Sequence, residues 1–212
     1  MDKNIDTILG QYPSEILTDS VVDSLFQGSA DRKYGLVKRA IARGRLKHIC
    51  RGVYVLAQPY QRGGINMFAL AQFIYGPSYI SFESALAYHG WIPEAVYLVK
   101  SACMKRSKMV ETSLGRFQFC KTSSTMFYGA VNRVSFDGGS FLMAEPWKAL
   151  TDYIYYYKKN WLGMDPLIKS LRIDRDYLAQ NVRDDYFDQL ALMYKSKRVK
   201  NFLDGIKKDL QV

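Results

Sequence analysis

The stretch RKYGLVKRAIARGRLKHICRGVYVL, residues 32–56, decides the fold of the N-terminal part of this chain. It contains no acidic side chain, and the acid-free run continues to Phe82. Soluble protein surfaces ordinarily mix both signs of charge, so such a run repels itself unless a polyanion offsets it. The pattern therefore predicts contact with nucleic acid. The basic residues of the stretch are Arg32, Lys33, Lys38, Arg39, Arg43, Arg45, Lys47 and Arg51.

The apolar spacing in this region predicts two short helices. The first covers Ser20 to Phe26 and can be capped by Thr18 or Asp19. The second starts after the cap Ser29, runs to about Arg43 and stops before Gly44. Two short helices joined by a tight turn are typical of a helix-turn-helix. One side of the second helix is apolar, and the basic residues fall on the other side.

After Gly44 the sequence predicts a β-hairpin, with strands at Leu46–Ile49 and Gly52–Leu56 and with Cys50 and Arg51 at the bend. Two helices followed by a hairpin give the order of a winged helix, in which the second helix enters the major groove and the wing lies on the flanking DNA. The candidate DNA-binding residues are therefore Ser29, Arg32, Lys33, Tyr34, Lys38, Arg39, Arg43, Arg45, Lys47 and Arg51.

The length of 212 residues favours two domains, and a composition of 48% apolar and 14% aromatic residues is typical of folded chains. The turn-rich stretch Pro59 to Gly64 is the predicted boundary. We expect a winged helix-turn-helix domain at residues 1–58 and a larger domain at residues 65–212. The formal net charge of +10 agrees with a polyanion partner.

The second domain is expected to be mixed α/β with a helical C-terminal tail, which makes the whole chain α+β. Two helices are predicted first, one after Asn66 and one from about Ser81 to Gly90. Strands follow, and from Pro146 the pattern is helical to the end. The predicted strands are Ala95–Val99, Arg116–Cys120, Met126–Val134 and Ser140–Met143.

A second cluster of basic residues in this domain is a candidate for another polyanion contact. It comprises Lys100, Lys105, Arg106, Lys108, Arg116 and Lys121. The tyrosine-rich stretch near Tyr153 also invites base stacking, but its helical spacing favours core packing.

Common catalytic signatures are absent from the sequence, including P-loop, HExxH and GxSxG strings. The nearest pattern is Asp137, Glu145 and Lys148, which loosely resembles the two acids and lysine of metal-dependent nucleases. Its spacing departs from that of such enzymes, so we expect no enzymatic activity, no cofactor and no metal. The cysteines Cys50, Cys103 and Cys120 match no metal site and are expected to be free and reduced.

The start of the chain has no basic and apolar blocks of a signal peptide. The uncharged run from Gly63 to Phe82 contains several glycines and polar side chains, so it predicts a helix, a turn and a strand rather than a membrane span. We therefore expect a cytoplasmic protein without membrane contact, associated with the nucleoid when bound to DNA.

Four strings in order resemble the AbiEi antitoxin family of bacterial toxin-antitoxin and abortive-infection systems. They are GRLKHICRGVYVLA, YISFESALAYHGWIPE, GRFQFCK and FLMAEPWKALTDYIY, and the resemblance covers about residues 18 to 160. Members of that family often have an acidic residue where Trp147 stands in this chain. The helical tail after about residue 165 has no counterpart in the resemblance.

The resemblance implies an N-terminal winged helix-turn-helix that binds inverted repeats in double-stranded DNA of its own promoter. It also implies a C-terminal domain that counteracts a nucleotidyltransferase-type toxin. By position, the DNA-reading helix would be Ser29 to Arg43 and the wing Leu46 to Leu56. The alternatives are a metal-dependent nuclease and a transcription factor unlinked to a toxin.

Overall fold

The computed structural model describes residues 5–58, 60–122, 125–180 and 185–211. The chain is α+β, as the sequence predicts. Its N-terminal elements are α1 (Ile5–Gln11), β1 (Ile16–Thr18), α2 (Asp19–Leu25), α3 (Ala30–Ala42), β2 (Leu46–Cys50) and β3 (Val53–Leu56). Pro59, at one end of the predicted boundary, lies outside the described residues.

The small N-terminal sheet has the strand order β1-β3-β2, and both pairings are antiparallel. The β2–β3 hairpin and the two preceding helices confirm the elements predicted from the sequence. Neither α1 nor β1 was predicted. Thr18 caps α2 by accepting a hydrogen bond from the Val21 amide, which confirms one of the two proposed caps.

The rest of the chain is built around a mixed six-stranded sheet of order β6-β7-β5-β4-β9-β8. Its neighbours are parallel at β5–β7 and β4–β9 and antiparallel elsewhere. The elements of this part are α4 (Met67–Ile74), β4 (Ser78–Ile80), α5 (Phe82–Tyr88), β5 (Leu98–Cys103), β6 (Lys108–Thr112), β7 (Gly115–Lys121), β8 (Val131–Phe136), β9 (Gly139–Ala144), α6 (Pro146–Tyr156), α7 (Asp165–Leu171), α8 (Arg175–Gln180), α9 (Tyr186–Met193) and α10 (Lys197–Leu210).

Helices cover both faces of the large sheet. On one face α4 packs through aromatic contacts, with Phe68 5.5 Å from Phe141 and Tyr75 5.1 Å from Phe119 between ring centroids. On the other face lies α6, whose Asp152 accepts a hydrogen bond from Tyr79 of β4. The C-terminal helices α9 and α10 pack on the outside of α6, where Trp147 meets Phe187.

The two parts of the chain share one apolar core. Alternate residues of the N-terminal sheet point to opposite sides because strand side chains have a period of two. Leu17 and Leu56 join a cluster with α1 and α3, whereas Ile16 and Val55 belong to the same continuous core as the large sheet. Strands β1 and β3 are therefore covered on both faces, whereas β2 exposes Lys47 and His48.

Two predicted strands are wrong in part. Residues 125–130 form turns, and β8 begins only at Val131, because Ala130 adopts a left-handed φ of 54° that interrupts an extended chain. The predicted strand Ala95–Val99 is displaced, and β5 occupies Leu98–Cys103. Beyond Pro146 the described residues form the helices α6 to α10 and no strand, and Lys158 (φ 53°) and Gly163 (φ 67°) lie between α6 and α7.

Candidate nucleic-acid interface

The predicted DNA-reading helix, α3, is fixed by its apolar side. Val37 packs with Val22 and Phe26 of the preceding helix, and Ala40 is buried toward the sheet. Ser29 caps the helix, since its Oγ accepts a hydrogen bond from the Arg32 amide at 3.3 Å. This packing leaves the opposite side of α3 in solvent.

The exposed side of α3 carries a line of basic residues. Arg32, Arg39 and Arg43 follow at intervals of seven and four, which places them along one face of the helix. Lys38 and Tyr34 are also exposed, with 70% of Tyr34 accessible, but they lie on a separate stripe of α3, about 120–160° around the helix from this line. Of the predicted set, the structure thus exposes Ser29, Arg32, Tyr34, Lys38, Arg39 and Arg43 along α3 and at its ends.

Two residues of the predicted set face inward instead. Lys33 donates to the backbone carbonyl (3.0 Å) and the carboxylate (3.1 Å) of Asp23, so it ties α3 to α2. Arg45 forms an ion pair of 2.6 Å with Asp6 of α1. Their side chains are only 18% and 21% exposed, respectively. Both side chains therefore link neighbouring elements through acidic partners and are not exposed cations.

The β2–β3 hairpin presents Lys47 on β2 and Arg51 at the tip, and both side chains are exposed. The tip is attached to the start of α2, because the Asp19 amide donates to the Gly52 carbonyl at 3.1 Å. Tyr54 also donates to the Asp19 carboxylate. Gly52 has a φ of 74°, and a Cβ there would lie 2.8 Å from that carboxylate, so the turn requires glycine.

The second basic cluster is divided by the structure. Lys100 lies inside the protein, where its Nζ forms an ion pair with Glu83 at 2.6 Å and donates to Tyr157 at 2.8 Å. Burial lowers the Lys100 pKa, but the hydrogen bonds to Glu83 and Tyr157 outweigh it and the net pKa is raised. The other members, Lys105, Arg106, Lys108, Arg116 and Lys121, are exposed.

Arg116 stands directly opposite Glu111 in the β6–β7 pair, which offsets part of its charge. Lys105 and Lys108 both lie over the ring of Tyr75, at 5.4 and 5.6 Å from its centroid. The exposed cluster is therefore gathered around the β6 edge of the large sheet.

One residue of the β6 edge, Lys108, lies within electrostatic range of the hairpin. Burial raises the pKa of the Cys50 thiol, and the nearby Lys108 ammonium partly counteracts this effect. Cys50 is the last residue of β2, so Lys108 approaches the end of the hairpin that carries Arg51. Lys108 is thus a residue of the second cluster that comes within electrostatic range of the hairpin.

The three residues of the possible nuclease pattern do not form a site. Asp137 lies in the β8–β9 turn and Glu145 follows the other end of β9, about 20 Å away for a six-residue strand. Glu145 is held by Tyr186 at 2.6 Å and by Asn132 at 3.0 Å. Lys148 is completely buried. This geometry contradicts a shared metal site for the three side chains.

Lys148 instead belongs to a buried polar network that the sequence pattern did not reveal. Its ammonium forms an ion pair with Asp152 at 3.1 Å, one helical turn away, and donates to the Tyr194 hydroxyl. Asp152 also accepts from Tyr194, from Tyr79 at 2.9 Å and from Ser81 at 2.7 Å. Every member is buried, and both carboxylate oxygens are hydrogen-bonded.

The ionisation behaviour of this network follows from its burial. Burial lowers the pKa of Lys148, although the Asp152 carboxylate opposes that effect. Burial and the same carboxylate hold the pKa values of Tyr79 and Tyr194 well above the usual range. These are the properties of a sealed structural contact between β4, α6 and the segment after α9.

Other reactive groups give no second site. Cys50, Cys103 and Cys120 are free thiols, and burial raises the pKa of Cys120 to about 12. Among the described residues, no three His, Cys, Asp or Glu side chains are grouped to hold a metal ion. An apolar groove of about 310 Å³ beside Phe68 and Phe136 has no carboxylate, lysine, histidine or cysteine in its lining.

No helix within the described ranges is both long and apolar enough to cross a membrane. The run Gly63–Phe82 contains α4 and β4, as the sequence predicts. Comparison with protein-family models and with curated proteins gives no match for this chain.

Proposed function

We propose that this protein is a non-enzymatic, DNA-binding antitoxin that represses its own operon through an N-terminal winged helix-turn-helix. The DNA-binding part of this proposal rests on one observation. Arg32, Arg39 and Arg43 form an exposed row along α3, and Arg51 is exposed at the tip of the β2–β3 hairpin. In a winged helix the second helix of the pair reads the major groove and the hairpin contacts the flanking strand.

The order of elements supports this assignment. Helix, strand, two helices and a hairpin follow one another in the first 56 residues, and the hairpin pairs with β1 to form a three-stranded sheet. The packing of α3 leaves its charged side open to a groove. Contacts from Arg and Lys to phosphates would supply affinity, and Tyr34 and Lys38 are placed to reach base edges.

The exposed members of the second cluster extend this surface. Because Lys108 lies near Cys50, a duplex lying across α3 and the hairpin would meet Lys105, Arg106 and Lys108 next. Each extra phosphate contact strengthens binding and increases its dependence on salt. This arrangement favours a DNA footprint that is longer than the N-terminal unit alone.

The antitoxin half of the proposal rests on the resemblance to the AbiEi family. It proposes that the part of the chain after residue 65 counteracts a nucleotidyltransferase-type toxin encoded beside it. A transcription factor unlinked to a toxin would bind DNA equally well. The buried position of Lys148 gives no support to the nuclease alternative.

DNA binding is tested by replacing Arg39 and Arg51 with alanine in the full chain. We expect the wild-type protein to bind its upstream region with a log K against log salt slope near −5, as for about six phosphate contacts, and the double variant to lose about two of those contacts. The control Arg175→Ala/Lys208→Ala removes the same charge from exposed positions elsewhere. Equal binding by wild type and the Arg39/Arg51 variant would remove the proposed interface.

Neutralisation is tested with the same full-length variant, expressed from an unrelated promoter together with the neighbouring toxin gene. Growth rescue by Arg39→Ala/Arg51→Ala would separate neutralisation from repression, because this variant binds its operator more weakly while the rest of the chain is unchanged. If wild type does not rescue growth, or no nucleotidyltransferase-like gene adjoins this one, the antitoxin assignment is wrong and a plain transcriptional regulator takes its place.

A further inference from the structure

Two acid-free segments meet at the C-terminal side of the molecule. Residues 153–164 and 189–203 contain six basic side chains and no Asp or Glu. The fold joins them where the Arg198 guanidinium donates to the Asn160 side-chain carbonyl at 2.8 Å. We call this surface the tail patch; it consists of Lys158, Lys159, Lys195, Lys197, Arg198 and Lys200.

The tail patch is open to solvent. Lys158, Lys195, Lys197 and Lys200 are exposed, and among the described residues none of these four has an acidic partner at ion-pairing distance. Lys159 lies over the ring of Trp161 at 5.3 Å.

The acids around the patch do little to offset its charge. Asp165 is engaged by Lys169 and Asp188 by Lys207, each at 2.9 Å, whereas Asp204, exposed one turn after Lys200 on the same face of α10, offsets one of the six positive charges. The positive charge of the patch therefore remains largely uncompensated.

Folding does not require these lysines. Helix α10 is held by an apolar stripe of Val199, Phe202, Leu203 and Ile206, all buried, and the basic residues lie outside it. Like charges placed close together destabilise a compact state. A cost of this kind points to a binding partner that is negatively charged.

The composition of the patch identifies the chemistry of that partner. Protein interfaces are poor in lysine at their centres and are anchored by large buried side chains, whereas this patch has five lysines and one arginine. Lysine binds phosphate as a flexible point charge. We infer that the tail patch binds the phosphate backbone of a nucleic acid.

This contact is separate from the one proposed for α3 and goes beyond the proposed function without resting on it. The tail patch is carried by α10 and the segment after α6, on the sheet face opposite α4. In the sequence, the N-terminal unit connects to the larger part through the segment that leads into α4. The two proposed phosphate-binding surfaces are thus formed by different elements, one by α3 with the hairpin and the other by α10 with the segment after α6.

The test uses full-length Arg39→Ala/Arg51→Ala protein, in which the α3 surface is weakened, and measures fluorescence anisotropy with an unrelated 30-base-pair DNA duplex and with a 30-nucleotide RNA. We expect residual, salt-dependent binding to at least one probe. Adding Lys197→Ala/Lys200→Ala should weaken it by about tenfold at 0.1 M salt and reduce the salt slope by about 2. The better-bound probe identifies the source of the phosphate.

The matched control is Arg133→Ala/Lys208→Ala in the same background, which removes the same charge from exposed positions outside the patch and leaves the Asp165–Lys169 pair intact. Unchanged melting temperatures confirm that all variants are folded, since the replaced side chains are exposed. The inference fails if the background protein binds neither probe, or if control and patch variants lose affinity equally. If the Arg39→Ala/Arg51→Ala protein without further changes binds neither probe, only the tail-patch inference fails, and the proposal for the α3 surface stands.

Discussion

Lys148 and Asp152 show how burial changes the contribution of an ion pair to stability. Both side chains are fully buried, and the carboxylate is surrounded by hydroxyl donors from Tyr79, Ser81 and Tyr194. Lys169 and Asp165 have the same spacing of four residues on a helix, but both side chains are at least 75% exposed. Water screens the second pair and not the first.

We predict that Lys148→Met destabilises the protein by about 3–5 kcal/mol in urea unfolding, because it leaves the Asp152 carboxylate buried without its cation. Lys169→Met breaks the exposed pair of identical spacing and is expected to leave the unfolding midpoint unchanged. A small effect of Lys148→Met would mean that Asp152 takes up a proton or that water reaches the site.

At the level of single residues, the sequence shows which side chains are basic but not which of them form ion pairs in the fold. Lys33, Arg45 and Lys100 belong to runs that suggest open charge, yet each has an acidic partner supplied by another element: Asp23, Asp6 and Glu83, respectively. Such partners depend on how helices and strands pack, and a local charge pattern contains no information about packing.

The helix α3 depends on its cap as well as on its apolar side. Ser29 accepts the Arg32 amide hydrogen bond and was also predicted to lie at the DNA surface. The two roles are separable by substitution, because a carboxylate caps a helix as well as a hydroxyl does.

Ser29→Ala should therefore lower stability by about 1 kcal/mol, measured by thermal unfolding. Ser29→Asp should keep the stability but weaken DNA binding, because it adds a negative charge beside Arg32. If Ser29→Asp binds DNA as tightly as wild type, the start of α3 does not lie against phosphate.

Elements with strong local signals were predicted well. The caps Thr18, Ser29 and Asn66 and the apolar stripe of α10 mark their helices within a residue or two. The strand β1 was missed because it has three residues and exists by pairing with β3, almost forty residues later. The strand β6 was missed for a similar reason, since its exposed residues lack the apolar alternation of a half-buried strand.

Across the whole molecule, the predicted division at residues 58 and 65 separates two regions in sequence that share a core in space. Ile16, Ile49, Val53 and Val55 pack into the same continuous cluster as Phe117, Phe119 and Phe141 of the large sheet. A turn-rich stretch can predict a domain boundary. It cannot reveal that apolar strands on the two sides of that boundary pack against each other.

The shared core predicts that the protein unfolds in a single transition. Trp91, Trp147 and Trp161 report on the larger part by fluorescence, and amide hydrogen exchange of Val53–Leu56 reports on the small sheet. The two urea curves should superimpose. Earlier loss of protection in Val53–Leu56 would show that the N-terminal unit unfolds independently.

The apolar core that β1 and β3 share with the large sheet also leaves no flexible joint between the unit proposed to bind DNA and the rest of the protein. Each bound copy would then project its body at one fixed azimuth around the duplex. Shifting one of two neighbouring sites by a single base pair rotates its occupant by about 35°, and a molecule without a flexible joint cannot rotate back. The spacing of paired sites on DNA would thus be dictated by the shape of the protein as strictly as by the bases it touches.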